Sequence, residues 1–252
     1  MTLRRDKPRH QLALCVILCL TGGLAACKDS GSTTGPSTTG TVNSLSAEIP
    51  SIVRVGQSIQ ASATATKSDG SAQLVGTGWR SSNTSVATIT DAGVITGVGN
   101  GTTTISVSIG GQQQQRDTRV LPDYEGTWTG TFRVDSCTPN PTAVYTWHCT
   151  NYAPGTTATI TLTISQAGSA LTGQFTAYNM LFTSFVVPIN SDGGTALLGT
   201  NVSASYLTDA LFSVGSAGQG RLTGTTHWER RGNSGLVGGS VIEGTILSLT
   251  RP

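Results

Sequence analysis

The segment TATITLTISQAGSALTGQFTAY, residues 157–178, places Ile160, Leu162 and Ile164 at every second position and then turns through Gly168-Ser169. Side chains alternate across a β-strand, so this period fits a half-buried strand entering a hairpin and not a helix, whose faces repeat every 3.6 residues. The same period begins near Val42. Ile59, Ala61, Ala63 and Ala65 alternate, as do Ile105, Val107 and Ile109. Turn signals separate these runs: Ser68-Asp69-Gly70, Asp91-Ala92-Gly93 and Gly99-Asn100-Gly101. Short strands with a turn every ten or so residues predict an all-β chain whose first folded part is a β-sandwich.

The start of the chain has a different character. Arg4, Arg5, Lys7 and Arg9 precede the apolar run Leu12 to Leu20, and small residues follow to Ala26. That order is an export signal, and the apolar run is shorter than the roughly 20 residues that a spanning helix needs. Leu24-Ala25-Ala26-Cys27 resembles the lipobox of bacterial lipoproteins. The resemblance implies that the Cys27 thiol receives a diacylglycerol and becomes the new N-terminus, a role open to a nucleophilic thiolate. Residues 28–40 (KDSGSTTGPSTTG) contain no large apolar side chain and read as a flexible tether. Lys28 stands where an aspartate would, in some bacteria, direct retention at the inner membrane, which points to the outer membrane.

Cleavage before Cys27 removes four of the 15 basic residues and one of the 13 acidic ones, leaving 11 against 12. The basic residues that remain are scattered, without the clustered positive footprint of a nucleic-acid binder. Cys15 and Cys19 leave with the signal, so Cys137 and Cys149 are the cysteines of the folded body. In an oxidising compartment this pair is expected to form a disulfide. A metal site of Cys137, His148 and Cys149 would lack the four ligands and the spacings that zinc uses. No metal or other cofactor is expected.

Within Thr77 to Ile109, Trp79 precedes Ser81-Ser82-Asn83, followed by Val86-Ala87-Thr88-Ile89, then Gly93-Val94-Ile95-Thr96-Gly97, then Gly101. These pieces, in this order, resemble the bacterial Ig-like domain of group 2, and the resemblance covers roughly Val42 to Pro122. It implies that Trp79 fills the centre of the sandwich. Gly93, Gly97 and Gly101 would take turn conformations that a side chain disfavours. Such domains serve as stalks and interaction modules on bacterial surfaces and share no catalytic residues. The run Gln112 to Gln115, after Gly110-Gly111, reads as a solvated hairpin arm.

Residues 123–252 are long enough for a core of their own. The element Leu-x-Gly recurs at Leu171-Thr172-Gly173, Leu197-Leu198-Gly199, Leu222-Thr223-Gly224 and Leu236-Val237-Gly238, each time after a polar or glycine-rich turn. Sequential hairpins predict a meander of about eight strands that closes into a barrel and so removes its edges. The opening Gly126-Thr127-Trp128 is similar to the G-x-W signature of lipocalins and the wider calycin group. By that resemblance Trp128 closes one end of the barrel and Arg251 stacks upon it. Tyr178, Phe182, Phe185, Tyr206, Phe212 and Trp228 are available to line or fill the interior, and strand parity alone does not choose among them.

Acid-base or nucleophilic catalysis needs positioned partners, and the chain has no nucleophile elbow, phosphate loop or metal-binding helix of the recognised forms. His227-Trp228-Glu229-Arg230-Arg231 is the most charged cluster, and alternation would set His227, Glu229 and Arg231 in one row on a solvated face. The domain reading is a signal at 1–26, anchor and linker at 27–41, an Ig-like sandwich at 42–122 and a barrel at 123–252. The expected protein is a non-catalytic, lipid-anchored component of the cell envelope. The sandwich would hold the barrel out for adhesion or scaffolding, with envelope or extracellular protein or glycan as partner. The other reading is a carrier of a small apolar ligand in the barrel. Replacing Cys27 by Ser is expected to abolish incorporation of labelled fatty acid into the mature chain; full labelling of that variant would refute the anchor.

Overall fold

Alternation resolves into eighteen strands and one short helix over the residues that the computed structural model describes, 40–139, 147–177, 180–202, 206–216, 220–232 and 239–251. Residues 1–39, Cys27 among them, lie outside the described residues, as do Tyr178 and Leu236-Val237-Gly238. The sandwich comprises β1 (Val42–Glu48), β2 (Ile52–Arg54), β3 (Ser58–Gln60), β4 (Ser62–Lys67) and β5 (Ala72–Leu74). It continues through β6 (Trp79–Ser81), β7 (Ala87–Ile89), β8 (Val94–Gly97), β9 (Gly101–Ile109) and β10 (Gln112–Leu121). Three small sheets result, in the orders β1-β4-β5, β2-β10-β9-β6 and β3-β8-β7, with β2 running parallel to β10.

Their inner faces bury Val53, Ala61, Ala65, Trp79, Ile95 and Ile105 in one cluster, so Trp79 occupies the place that the resemblance implies. Gly93 takes the left-handed backbone (φ 81°) expected of a turn. Gly97 departs from expectation. It is a residue of β8 without a positive φ, and a side chain there would bring Cβ within 2.3 Å of the Arg54 carbonyl oxygen. The missing side chain therefore serves a close approach of backbones and not a turn. Gln112 to Gln115 form the exposed arm of a hairpin whose turn is Gly110-Gly111.

The second half contributes β11 (Gly126–Pro139), α1 (Trp147–Asn151), β12 (Thr157–Ala167), β13 (Ala170–Ala177) and β14 (Met180–Pro188). After these come β15 (Thr195–Val202), β16 (Tyr206–Ser216), β17 (Arg221–Gly232) and β18 (Gly239–Thr250). They form one antiparallel sheet of eight strands in the order β14-β13-β12-β11-β18-β17-β16-β15. β11 pairs with both β12 and β18, which curls the meander into a nearly closed barrel. Side chains bridge the seam between β14 and β15. Thr195 Oγ1 donates to the Pro188 carbonyl at 3.0 Å, and Asn201 Nδ2 donates to the Leu181 carbonyl at 2.8 Å.

Aromatic rings fill the interior. Phe175 stacks on Phe182 with centroids 4.5 Å apart and meets Phe212 edge-on at 4.5 Å. Trp228 contacts Phe132, Phe182 and Phe212 at 5.2 to 5.5 Å. Of the aromatic residues named as candidates, Phe182, Phe185, Phe212 and Trp228 are all buried in this one cluster, together with Trp128. Parity alone could not place Phe182 and Phe185 together, because they stand three positions apart and a regular strand would send them to opposite faces. The register explains it: Gly173 pairs with Phe185 and Phe175 with Phe182, so β14 carries one extra residue, a β-bulge that turns both rings inward.

Leu-x-Gly acquires a physical meaning in this setting. Leu171, Leu197 and Leu222 point inward at the starts of β13, β15 and β17, and each is followed two positions later by a glycine. At Gly199 a Cβ would stand 2.6 Å from the Phe175 ring, so the absent side chain is the space that the ring occupies. At the other end of β11, Cys137 is joined to Cys149 of α1, which packs against β11 and β18. Replacing Phe212 by Ala is expected to lower unfolding stability by about 3–5 kcal/mol, the usual cost of removing a core aromatic ring. Urea titration reads that loss, and a change under about 1 kcal/mol would mean that the interior is not packed as described.

Candidate functional site

A densely connected polar group of side chains lies where the sandwich meets the barrel. Gln166 closes β12 at the position that continues the inward series Ile160, Leu162 and Ile164, yet it is polar and buried. A buried amide needs partners on both its atoms. Its Oε1 accepts from the Tyr124 amide at 2.8 Å, and its Nε2 donates to the carbonyls of Pro122 and Gly168, each at 3.2 Å. The segment that passes from β10 to β11 is thereby tied to the barrel at each step. Leu121 and Tyr124 are fully buried, and the Tyr124 hydroxyl donates to the Gly193 carbonyl at 2.6 Å in the loop after β14. Trp128 lies under this segment and donates its indole N–H to the Tyr124 carbonyl at 2.8 Å.

Charges surround the knot. Arg54 of β2 donates to the Gln166 carbonyl at 2.9 Å and pairs with Asp123 at 3.3 Å and Glu125 at 3.4 Å. Arg251 pairs with the other Asp123 oxygen at 2.8 Å, and its guanidinium stands 4.9 Å from the centre of the Trp128 ring. Trp128 buried at one end of the barrel with Arg251 over it is the arrangement that the resemblance to lipocalins implies. From the sandwich side, Asn100 donates to the Asp192 carbonyl at 2.9 Å and Arg119 to the Asn190 carbonyl. A cleft of about 440 Å³ opens between Arg54, Gln57, Asp123 and Arg251. Its guanidinium and carboxylate groups are engaged with one another, and partly exposed pairs of this kind contribute up to about 1 kcal/mol each.

Sequence reasoning singled out the row on β17 and read it as a solvated face. His227, Glu229 and Arg231 do lie on one outward, half-exposed face, while Trp228 points into the barrel. His227 Nδ1 is 2.6 Å from Glu243 of β18, Arg231 pairs with Asp209 of β16, and Glu229 lies 3.8 Å from Arg231. The first two are cross-strand pairs on the curved outside of a barrel, and the third runs along β17 itself. Glu229 and Arg231 also border a hollow of about 260 Å³ with Arg230 and Ser240. Among the described residues, no group of three or more His, Cys, Asp and Glu could hold a metal ion. Cys137 and Cys149 are bonded to each other, and the His148 side chain lies outside what is described. What sequence reasoning missed is Gln166. The available signal was a polar residue in a core register, which demands an internal partner.

Residues 38–120 match the family model of the bacterial Ig-like domain, group 2. The match covers the ten strands of the sandwich and stops at the entry to the junction. Domains of this family occur in bacterial surface and envelope proteins. No curated protein matches the chain.

Two outcomes are expected from this geometry. Replacing Tyr124 by Phe leaves the Gly193 carbonyl without its buried donor and should lower stability by about 1–2 kcal/mol; an unchanged denaturation midpoint would remove the hydroxyl from the account. Asp135, which accepts from Thr245 at 2.6 Å and pairs with Arg133 at 2.8 Å, has its carboxyl held below the ordinary value, first by Thr245 and then by Arg133. Because the folded value is depressed, its contribution to stability is present above the unfolded pKa and is lost as pH falls through the folded one. Carboxyl NMR titration should find Asp135 below a free aspartate, and replacing Thr245 by Val should raise it; no rise would discount the hydroxyl.

Proposed function

We propose that the chain is a non-catalytic, lipid-anchored protein of the bacterial cell envelope, in which the Ig-like sandwich and the barrel together present a rigid surface for adhesion or scaffolding. The observation that carries this reading is the packed interior of the barrel. A carrier encloses its ligand in a lumen lined by apolar groups. Here the positions that would line such a lumen are occupied by rings in mutual contact at 4.5 to 5.5 Å. Eight-stranded barrels can be filled by their own side chains in this way.

The junction supports the same reading. Gly40–Pro252 is one compact unit, and the segment between sandwich and barrel is buried where a flexible linker would be exposed. A surface module that carries load or holds a partner at a fixed distance gains from such stiffness. Strands β11, β13, β15 and β17 run away from the junction, so their far ends form the rim that faces outward from the sandwich. The anchor at Cys27 and a place in the outer membrane rest on the lipobox resemblance and on Lys28.

Native mass spectrometry of the mature chain, extracted from envelopes with its disulfide intact, tests the choice. A mass equal to lipid-modified polypeptide alone is expected. An additional mass that is lost on organic extraction would make the protein a carrier and overturn the proposal.

A further inference from the structure

We propose that the Ig-like sandwich is a mechanical clamp: β1 and β2 lie alongside β10 in the same direction, so tension between the anchored end of the chain and the barrel loads their interface in shear. This role rests on the reading of the chain as anchored before β1 and engaged through its barrel. Contacts advance along both segments together. Val42 stands at the hairpin turn, where a Cβ on Gly110 would lie 2.7 Å from the Val42 Cβ. Further along, Gln114 Nε2 donates to the Leu45 carbonyl at 3.1 Å, the Arg116 guanidinium to the Ile49 carbonyl at 3.2 Å and Thr118 Oγ1 to the Pro50 carbonyl at 2.7 Å. The Arg119 amide then donates to the Ser51 carbonyl at 2.8 Å, and a parallel ladder follows from Ile52 beside Arg119 to Arg54 beside Leu121. The Val55 amide completes the row by donating to the Leu121 carbonyl at 2.8 Å.

The chain enters this row at Val42 and leaves it at Leu121, so the two points of load lie at opposite ends. In the antiparallel hairpin of β9 and β10, tension on the open end would part the bonds one after another. Sliding parallel neighbours past each other strains every bond at once. Hydrogen bonds weaken steeply as distance and angle depart from their optimum, so they fail together or hold together. Forced unfolding is governed by the rate of that rupture.

Burial reinforces the row. Val53, Thr118, Val120 and Leu121 are fully buried, which keeps water from replacing the bonds as they stretch. Where the row ends, Arg54 is held by Asp123 at 3.3 Å, by Glu125 at 3.4 Å and by the Gln166 carbonyl at 2.9 Å. Load therefore reaches the barrel by two routes, through the backbone after β10 and through this side chain from β2.

The full mature chain, unlipidated and with its disulfide intact, is held by the Cys27 thiol and by a thiol at exposed Thr127→Cys, and pulled at constant force. A second pair of handles, on Cys27 and exposed Gln113→Cys, pulls the same interface from its Val42 end alone. Rupture of the sandwich is expected to be at least about tenfold slower in the first direction than in the second at equal force. Thr118→Val, which removes the buried hydroxyl, should quicken rupture in the first direction about threefold or more. Equal rates in the two directions overturn the proposal, and so does an unchanged rate for Thr118→Val in the first. Neither lipid nor partner takes part in the pulling, so a failed clamp leaves the anchored, non-carrier reading standing, and an extracted ligand would leave the clamp standing.

Discussion

Gln166 sits at a core position of a barrel strand and bonds to the backbone of the segment that enters the barrel, and much of the architecture depends on that side chain. A buried amide without partners costs several kcal/mol in an apolar setting, so the strand tolerates it only while Tyr124, Pro122 and Gly168 stay where they are. The requirement is mutual. Tyr124 is fully buried, its hydroxyl and amide are engaged at 2.6 and 2.8 Å, and its carbonyl orients Trp128. Any movement of the sandwich against the barrel would break several of these bonds at once. That is a physical reason for Gly40–Pro252 to behave as one unit.

Above this knot the barrel is a solid body. Its rings interlock through edge and stacked contacts, and the glycine at 199 exists to admit one of them. Inside and outside thus have separate tasks. The interior supplies stability, while the outer face of β16, β17 and β18 carries paired charges.

Much of this was legible in single segments. The period-two runs announced strands, the glycine pairs announced turns, and Trp79 and Trp128 were placed by short patterns that the structure honours. The interior of the barrel was not legible in the same way. One inserted residue in β14 inverts the parity of everything beyond it, and no local feature of MLFTSFVVP declares where the insertion falls. Gly97 was misread for a related reason: its lack of a side chain answers to the Arg54 backbone, which is 43 residues away in sequence. His227, Glu229 and Arg231 drew notice because charge is visible in a string of letters, whereas Gln166 matters because of what lies around it.

By itself, then, the sequence determined the all-β class, the division into a sandwich and a meander, and the pairing of Cys137 with Cys149. Each of these follows from local periodicity or from a scarcity of alternatives. Tertiary structure alone decided that aromatic rings fill the barrel and that sandwich and barrel are joined by buried hydrogen bonds. Those properties arise from register and from contacts between residues far apart in the chain. A one-residue shift in pairing moves every following side chain to the other face.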